Sequence, residues 1–280
     1  MPGSDPADVA AVNPDDPPWG LPAAVGVLFA SLALLVLIPV FTIIPYVIWR
    51  GVNLQAVGEM LQTDKTAILI SILANFPAHL LTLALVWAIV TGFGKRPFWG
   101  ALGWSWSPRV GFWASAGIAL GLFGLGLLIF QIFGDQETAL TRILNSSTAA
   151  RYAVVLMAIL TAPLVEEVVY RGVLYPALQR RVGRLWGVLG VMMVFAIIHV
   201  PQYLPSFGAI STIGVLSLSL TLVRAYTGQL LPCVVIHAVF NSLSSVGILL
   251  EPFLKNVPSV TDQTTSTASL ILARLAHLSF

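Results

Sequence analysis

Two hundred and eighty residues with 57% hydrophobic side chains, 9% charged ones and a mean hydropathy of +0.89 do not describe a soluble globule, which carries about 25% charged residues. A net charge of +2 with scattered basic residues forms no stripe of Lys and Arg, so nucleic-acid partners are excluded. The lone cysteine, Cys233, permits neither an intrachain disulfide nor a cysteine metal cluster.

Residues 1–21 hold Asp5, Asp8, Asp15 and Asp16 among many Pro and Ala, without the basic start of a cleavable signal peptide. They read as a disordered acidic tail. Beyond them, apolar runs long enough to cross a bilayer core, which takes about 20 helical residues, cover 22–49, 66–92, 110–133, 150–175, 185–202, 208–226 and 229–250. Backbone groups must be satisfied internally in lipid, so the expected fold is all-α, a polytopic transmembrane helical bundle with about seven to eight spans. Residues 22–149 form its N-terminal helices and 150–250 a second core. Residues 251–280 form a tail whose segment Ser269–Phe280, with Arg274 and His277, either lies on the membrane or packs as a partial eighth helix.

Alternating loops divide the basic residues into Lys95, Arg96, Arg109, Arg180, Arg181, Arg184 and Arg224 against Arg50, Lys65, Arg142, Arg151 and Lys255. The larger set is expected on the cytoplasmic side, together with the N-terminus. The compact length suggests a bacterial cell membrane. Gly117 and Gly121 form a small-xxx-small pair that fits packing within the bundle or a homo-oligomer contact.

An ionised group near the bilayer centre costs at least ~2.5–3.5 kcal/mol, so each one inside a span points to function. Such groups cluster late in the chain. In TAPLVEEVVYRGVLYP, Glu166 and Glu167 are neighbours and face different directions on a helix. Glu167 and Arg171 are four apart and share a face, where the guanidinium offsets one buried carboxylate. Glu166, left without a same-helix cation, has the environment of a general base. Pro163 is expected to bend this helix and admit water, and Gly172 to allow close approach or to loosen the helix end. His199, before Pro201, is expected to face a cavity where the helix is interrupted, with Phe195 one turn earlier. His237 and Asn241 project together from the last span. Asn75 and His79 show the same spacing in the second span, but without an acidic partner they read as helix packing or an access path.

Taken in order, Glu-Glu-x-x-x-Arg, Phe-x-x-x-His and His-x-x-x-Asn resemble the motifs of the CPBP family of intramembrane proteases, which includes CAAX prenyl endopeptidases and bacterial relatives linked to bacteriocin maturation or self-immunity. The resemblance covers residues 150–250. It implies that Glu166 activates water, that Glu167 and Arg171 organise the site, and that His199, His237 and Asn241 bind the peptide carbonyl and stabilise its oxyanion. Members are described both as metalloproteases and as glutamate peptidases. A zinc ion held by Glu166, His199 and His237 is chemically acceptable, yet no His-Glu-x-x-His helix is present, and metal-free hydrolysis is the favoured version. The implied partners are the lipid bilayer and a peptide or membrane-protein substrate. The alternative, from another class, is a non-catalytic scaffold or a proton- or solute-coupled transporter using the same polar groups.

Overall fold

The computed structural model describes residues 13–134 and 136–255. His277 and the terminal segment Ser269–Phe280 lie outside the described residues, as do Asp5 and Asp8. The helices are α1 (Leu21–Arg50), α2 (Val57–Thr63), α3 (Lys65–Leu73), α4 (Asn75–Thr91), α5 (Phe98–Ala101), α6 (Phe112–Phe133), α7 (Ala139–Ser146), α8 (Thr148–Leu160) and α9 (Ala162–Glu167). A π-helical segment (Val168–Leu174) then leads into α10 (Tyr175–Tyr203), α11 (Phe207–Thr227) and α12 (Leu231–Lys255). No strand is assigned among the described residues. The bundle is all-helical, as expected.

Six helical stretches among the described residues are long and apolar enough to cross a membrane. One of them runs from Thr148 to Tyr203, a length of 56 residues, or roughly 80 Å at 1.5 Å per residue, far beyond a ~30 Å hydrocarbon core. It is folded back at Gly183, whose φ of 84° and ψ of 166° break the helix. The two arms pack closely, because a Cβ on Gly187 would stand 3.0 Å from Gln179 and one on Gly190 2.9 Å from Leu178. Counting the arms separately gives the seven spans read from hydropathy.

Pro163 stands in the first turn of α9, and the helix is interrupted just before it, at Thr161 between α8 and α9, where a proline that lacks an N–H bends a helical run. Pro201 does not interrupt α10, which continues to Tyr203; so near the helix end it forfeits a single bond. Gly172 serves close approach, since a Cβ there would meet Leu102 at 3.0 Å and Leu230 at 3.4 Å. Gly117 and Gly121 have nothing within 4 Å of such a Cβ, so this pair makes no contact within the bundle.

Residues 13–20, assigned to the tail, are docked. Asp15 Oδ1 accepts from Arg224 at 2.6 Å, Asp16 Oδ1 from Arg180 at 2.7 Å, and the Trp19 indole N–H donates to the Val173 carbonyl at 3.1 Å. The carbonyls of Pro14 and Pro17 accept from Arg224 and Arg180. Acidic residues in a proline-rich stretch are weakly ordered alone, but two arginines placed beside them by distant helices supply charge-assisted bonds. These bonds put the N-terminal segment at the same end of the bundle as Arg180 and Arg224, as the loop count requires. At the other end Asp64 caps α3 through the amides of Thr66 and Ala67, and binds Tyr46 and Arg50 of α1.

Arg224 is fully buried whereas Arg180 is exposed. Asp15→Ala is therefore expected to lower stability by about 2 kcal/mol and Asp16→Ala by less than about 1 kcal/mol, compared by thermal unfolding in detergent. The Ala67 amide holds the Asp64 carboxyl below its ordinary value; burial opposes this, and Tyr46, the Thr66 amide and Arg50 reinforce it. A lowered folded value means that the added stability is present above the unfolded carboxylate range and is lost as pH falls through the folded value. The difference in unfolding midpoint between wild type and Asp64→Asn is thus expected in full at about pH 6 and to shrink as pH falls below the unfolded carboxylate value of about 4.

Candidate active site

The helix carrying the two glutamates changes character at its centre. After Glu167 the backbone takes π geometry, closing with the Tyr175 amide bonded to the Tyr170 carbonyl five residues back, and such segments recur at functional sites. Glu167 and Arg171 still meet, at 2.9 Å, with neither side chain exposed. All faces of the guanidinium are occupied. Its Nη2 donates to Ser217 Oγ at 2.7 Å and to the Ser217 carbonyl at 3.0 Å, and its Nε to Thr221 Oγ1 at 3.2 Å. Phe195 lies across it, 4.7 Å from ring centroid to guanidinium carbon, a cation–π contact worth most where water is excluded.

His237, 2% exposed, places Nδ1 at 2.8 Å from the same Glu167 Oε1. A carboxylate accepts, so Nδ1 carries the proton and Nε2 is left as the free nitrogen of the neutral ring. That Nε2 lies 3.9 Å from Glu166 Oε2. Glu166 differs from its neighbour in the expected way: its side chain keeps 26% exposure and lines a cavity of about 370 Å³. His199 is held similarly, with Nδ1 donating to the Phe195 carbonyl at 2.7 Å and the ring half-buried on the cavity wall. Asn241 donates to the Ala158 carbonyl at 2.8 Å, and its buried Oδ1 has no partner among the described residues.

Sequence spacing brought out six of these groups, and the structure gathers all six around or directly behind one cavity. Glu166, His199, His237 and Asn241 line it, while Glu167 and Arg171 stand behind. Ser217 and Thr221 were not foreseen. Their signal was present as hydroxyls four apart on α11, but uncharged groups in an apolar helix do not stand out. Tyr203 also escaped notice; it lines the cavity with a buried hydroxyl that has no partner among the described residues. His79 bonds Thr161 at 2.9 Å and shares the cavity with Glu166, so an acidic neighbour does exist.

Among the described residues no group of three or more His, Cys, Asp or Glu is placed to hold a metal ion, while Glu167 on His237 Nδ1 leaves Nε2 as the nitrogen directed to Glu166. What remains is a buried dyad behind a half-open carboxylate, an arrangement that can orient and deprotonate a small molecule between Glu166 and His237.

Residues 148–243 match the family model described as Rce1-like, Type II CAAX prenyl endopeptidase. No curated protein and no solved structure matches the chain. The match bears out the resemblance drawn from the motifs, and its limits enclose all six candidate residues. That family is one of proteases, and here its signature lies on membrane-length helices.

Removing one member of a buried ion pair costs about 3–5 kcal/mol, because the other stays charged and alone. Arg171→Met and Glu167→Gln are each expected to destabilise, the former more. The double substitution is expected to recover much of the loss; additive losses on unfolding in detergent–denaturant mixtures would contradict the coupling.

Proposed function

We propose that this protein is an intramembrane endopeptidase that hydrolyses a peptide bond in a membrane-associated or lipidated substrate by means of a glutamate-activated water. The observation that carries the reading is the 3.9 Å separation of Glu166 Oε2 and His237 Nε2 at the cavity wall. Both atoms are acceptors, and a gap of that size suits a bridging water. One water hydrogen points to each, leaving a lone pair free for the substrate. Glu167 holds His237 in the tautomer this requires, and Arg171 fixes the position of Glu167.

In the reaction, Glu166 takes a proton from the water as its oxygen bonds to the peptide carbonyl carbon. The developing oxyanion is met by donors at the cavity wall, a stabilisation commonly worth ~2.7–4 kcal/mol per donor. Asn241 has a second amide hydrogen for this purpose beyond the one given to Ala158. His199, with Nδ1–H committed to Phe195, donates from Nε2 only as the protonated ring. Collapse breaks the C–N bond, and the proton on Glu166 passes to the leaving amine. The second water proton stays on the acyl product until it too passes to the amine, so the products leave as a carboxylate and an ammonium and the site returns to its starting charge.

The family match supports lipidated peptides as the first substrates to try. A fluorophore–quencher octapeptide with a farnesylated cysteine four residues from its C-terminus, and its unlipidated counterpart, are expected to be cut by the purified full chain. Glu166→Gln is expected to lower kcat by about 10²–10⁴-fold while leaving the thermal midpoint close to that of wild type. A Glu166→Gln protein of undiminished turnover would sink the reading.

A further inference from the structure

The cavity has a second polar wall that the chemistry above leaves unused. Asn75, His79 and Thr82 of α4 follow one another at the i, i+4, i+7 spacing of a single helix face, and all three line the cavity that holds Glu166. His79 and Thr82 are almost fully buried, at 6% and 1% exposure. Their polar atoms are only partly used. Asn75 Nδ2 donates to the carbonyls of Ser71 and Ile72, leaving Oδ1 to accept. Thr161 Oγ1 donates to the Met157 carbonyl at 3.4 Å, so it accepts from His79 Nδ1–H at 2.9 Å and the Nε2 of His79 is left as an acceptor. Thr82 Oγ1 is buried with no partner among the described residues.

A lipid tail has no use for such groups. A peptide main chain does, because each N–H or C=O carried into apolar surroundings without a partner costs several kcal/mol. Glu166, His199, His237 and Asn241 are engaged with the water and the scissile carbonyl, so the amides on either side of that bond need partners elsewhere. Of the lining that α1 and α3 contribute, Ser31 already gives its hydroxyl hydrogen to the Leu28 carbonyl, and Leu32, Leu35 and Ile72 offer no partner.

We propose that the Asn75, His79 and Thr82 face of α4 is a main-chain subsite that hydrogen-bonds the peptide groups flanking the scissile bond and so holds the substrate extended in the cavity. Asn75 Oδ1 and His79 Nε2 accept from substrate N–H groups, and the Thr82 hydroxyl donates to a substrate carbonyl. The assignment rests on the peptidase reading. It lies outside residues 148–243 and owes nothing to the family match.

The test uses the farnesylated octapeptide and a set in which each amide flanking the scissile bond is N-methylated in turn. Thr82→Val and His79→Leu are expected to raise KM about tenfold with kcat within twofold, and Thr82→Ser to restore the wild-type KM. N-methylation at the amide that His79 accepts is expected to weaken the substrate for wild type but no further for His79→Leu. An unchanged KM, a loss confined to kcat, or fully additive losses would overturn the subsite. Anisotropy of the labelled peptide bound to the intact protein separates the two readings. No turnover, with binding weakened by Thr82→Val, removes the peptidase and keeps the subsite; binding indifferent to both substitutions removes the subsite whatever the turnover.

Discussion

The contact on which the rest depends is the carboxylate of Glu167, shared at 2.8–2.9 Å between a guanidinium and an imidazole with no exposure to water. Neither charge tolerates that location alone, since an uncompensated ion in a low-dielectric interior costs several kcal/mol. Four helical elements must therefore meet at fixed distances: α9 for the carboxylate, the π segment for Arg171, α11 for the hydroxyls and carbonyl that complete its bonding, and α12 for His237. A well-packed apolar cluster would hold the same helices together. It would not fix which nitrogen of His237 bears the proton, and the geometry at Glu166 follows from that.

The supporting structure is spent on keeping this segment in place. Gly172 lets Leu102 and Leu230 close on the π turn, and Trp19 donates to the carbonyl of Val173 within it. The Tyr170 and Phe195 rings meet edge to face with centroids 4.9 Å apart, and both lie beside the guanidinium. Residues of the N-terminal half thus brace the segment that carries Glu167 and Arg171.

Much of the fold was legible because membrane insertion imposes a local rule: long apolar stretches become helices, and breaks in hydropathy mark their ends. Even the reversal at Gly183 shows in hydropathy, as the gap between 150–175 and 185–202. The candidate site was legible for a related reason. Where charge is scarce, Glu167 and Arg171 at a spacing of four cannot be accidental decoration, and His237 with Asn241 repeats the spacing. What did not show is whatever depends on separation in space rather than along the chain. Asp15 meets Arg224 across 209 positions and His79 meets Thr161 across 82, and neither periodicity nor propensity encodes such pairings. The π geometry was equally silent, since a single widened turn leaves the apolar pattern intact.

The turn at Gly183 also settles a matter of parity. With it the described chain crosses seven times, an odd number, so the docked N-terminal segment and the end of α12 emerge on opposite faces. An unbroken helix through that point would make the crossings even and return both ends to one face. Asp16 and Asp15 can find Arg180 and Arg224 because the loops bearing those arginines follow the fourth and sixth crossings, both on the starting face. A single residue with a left-handed φ therefore decides at which end of the bundle α12 finishes.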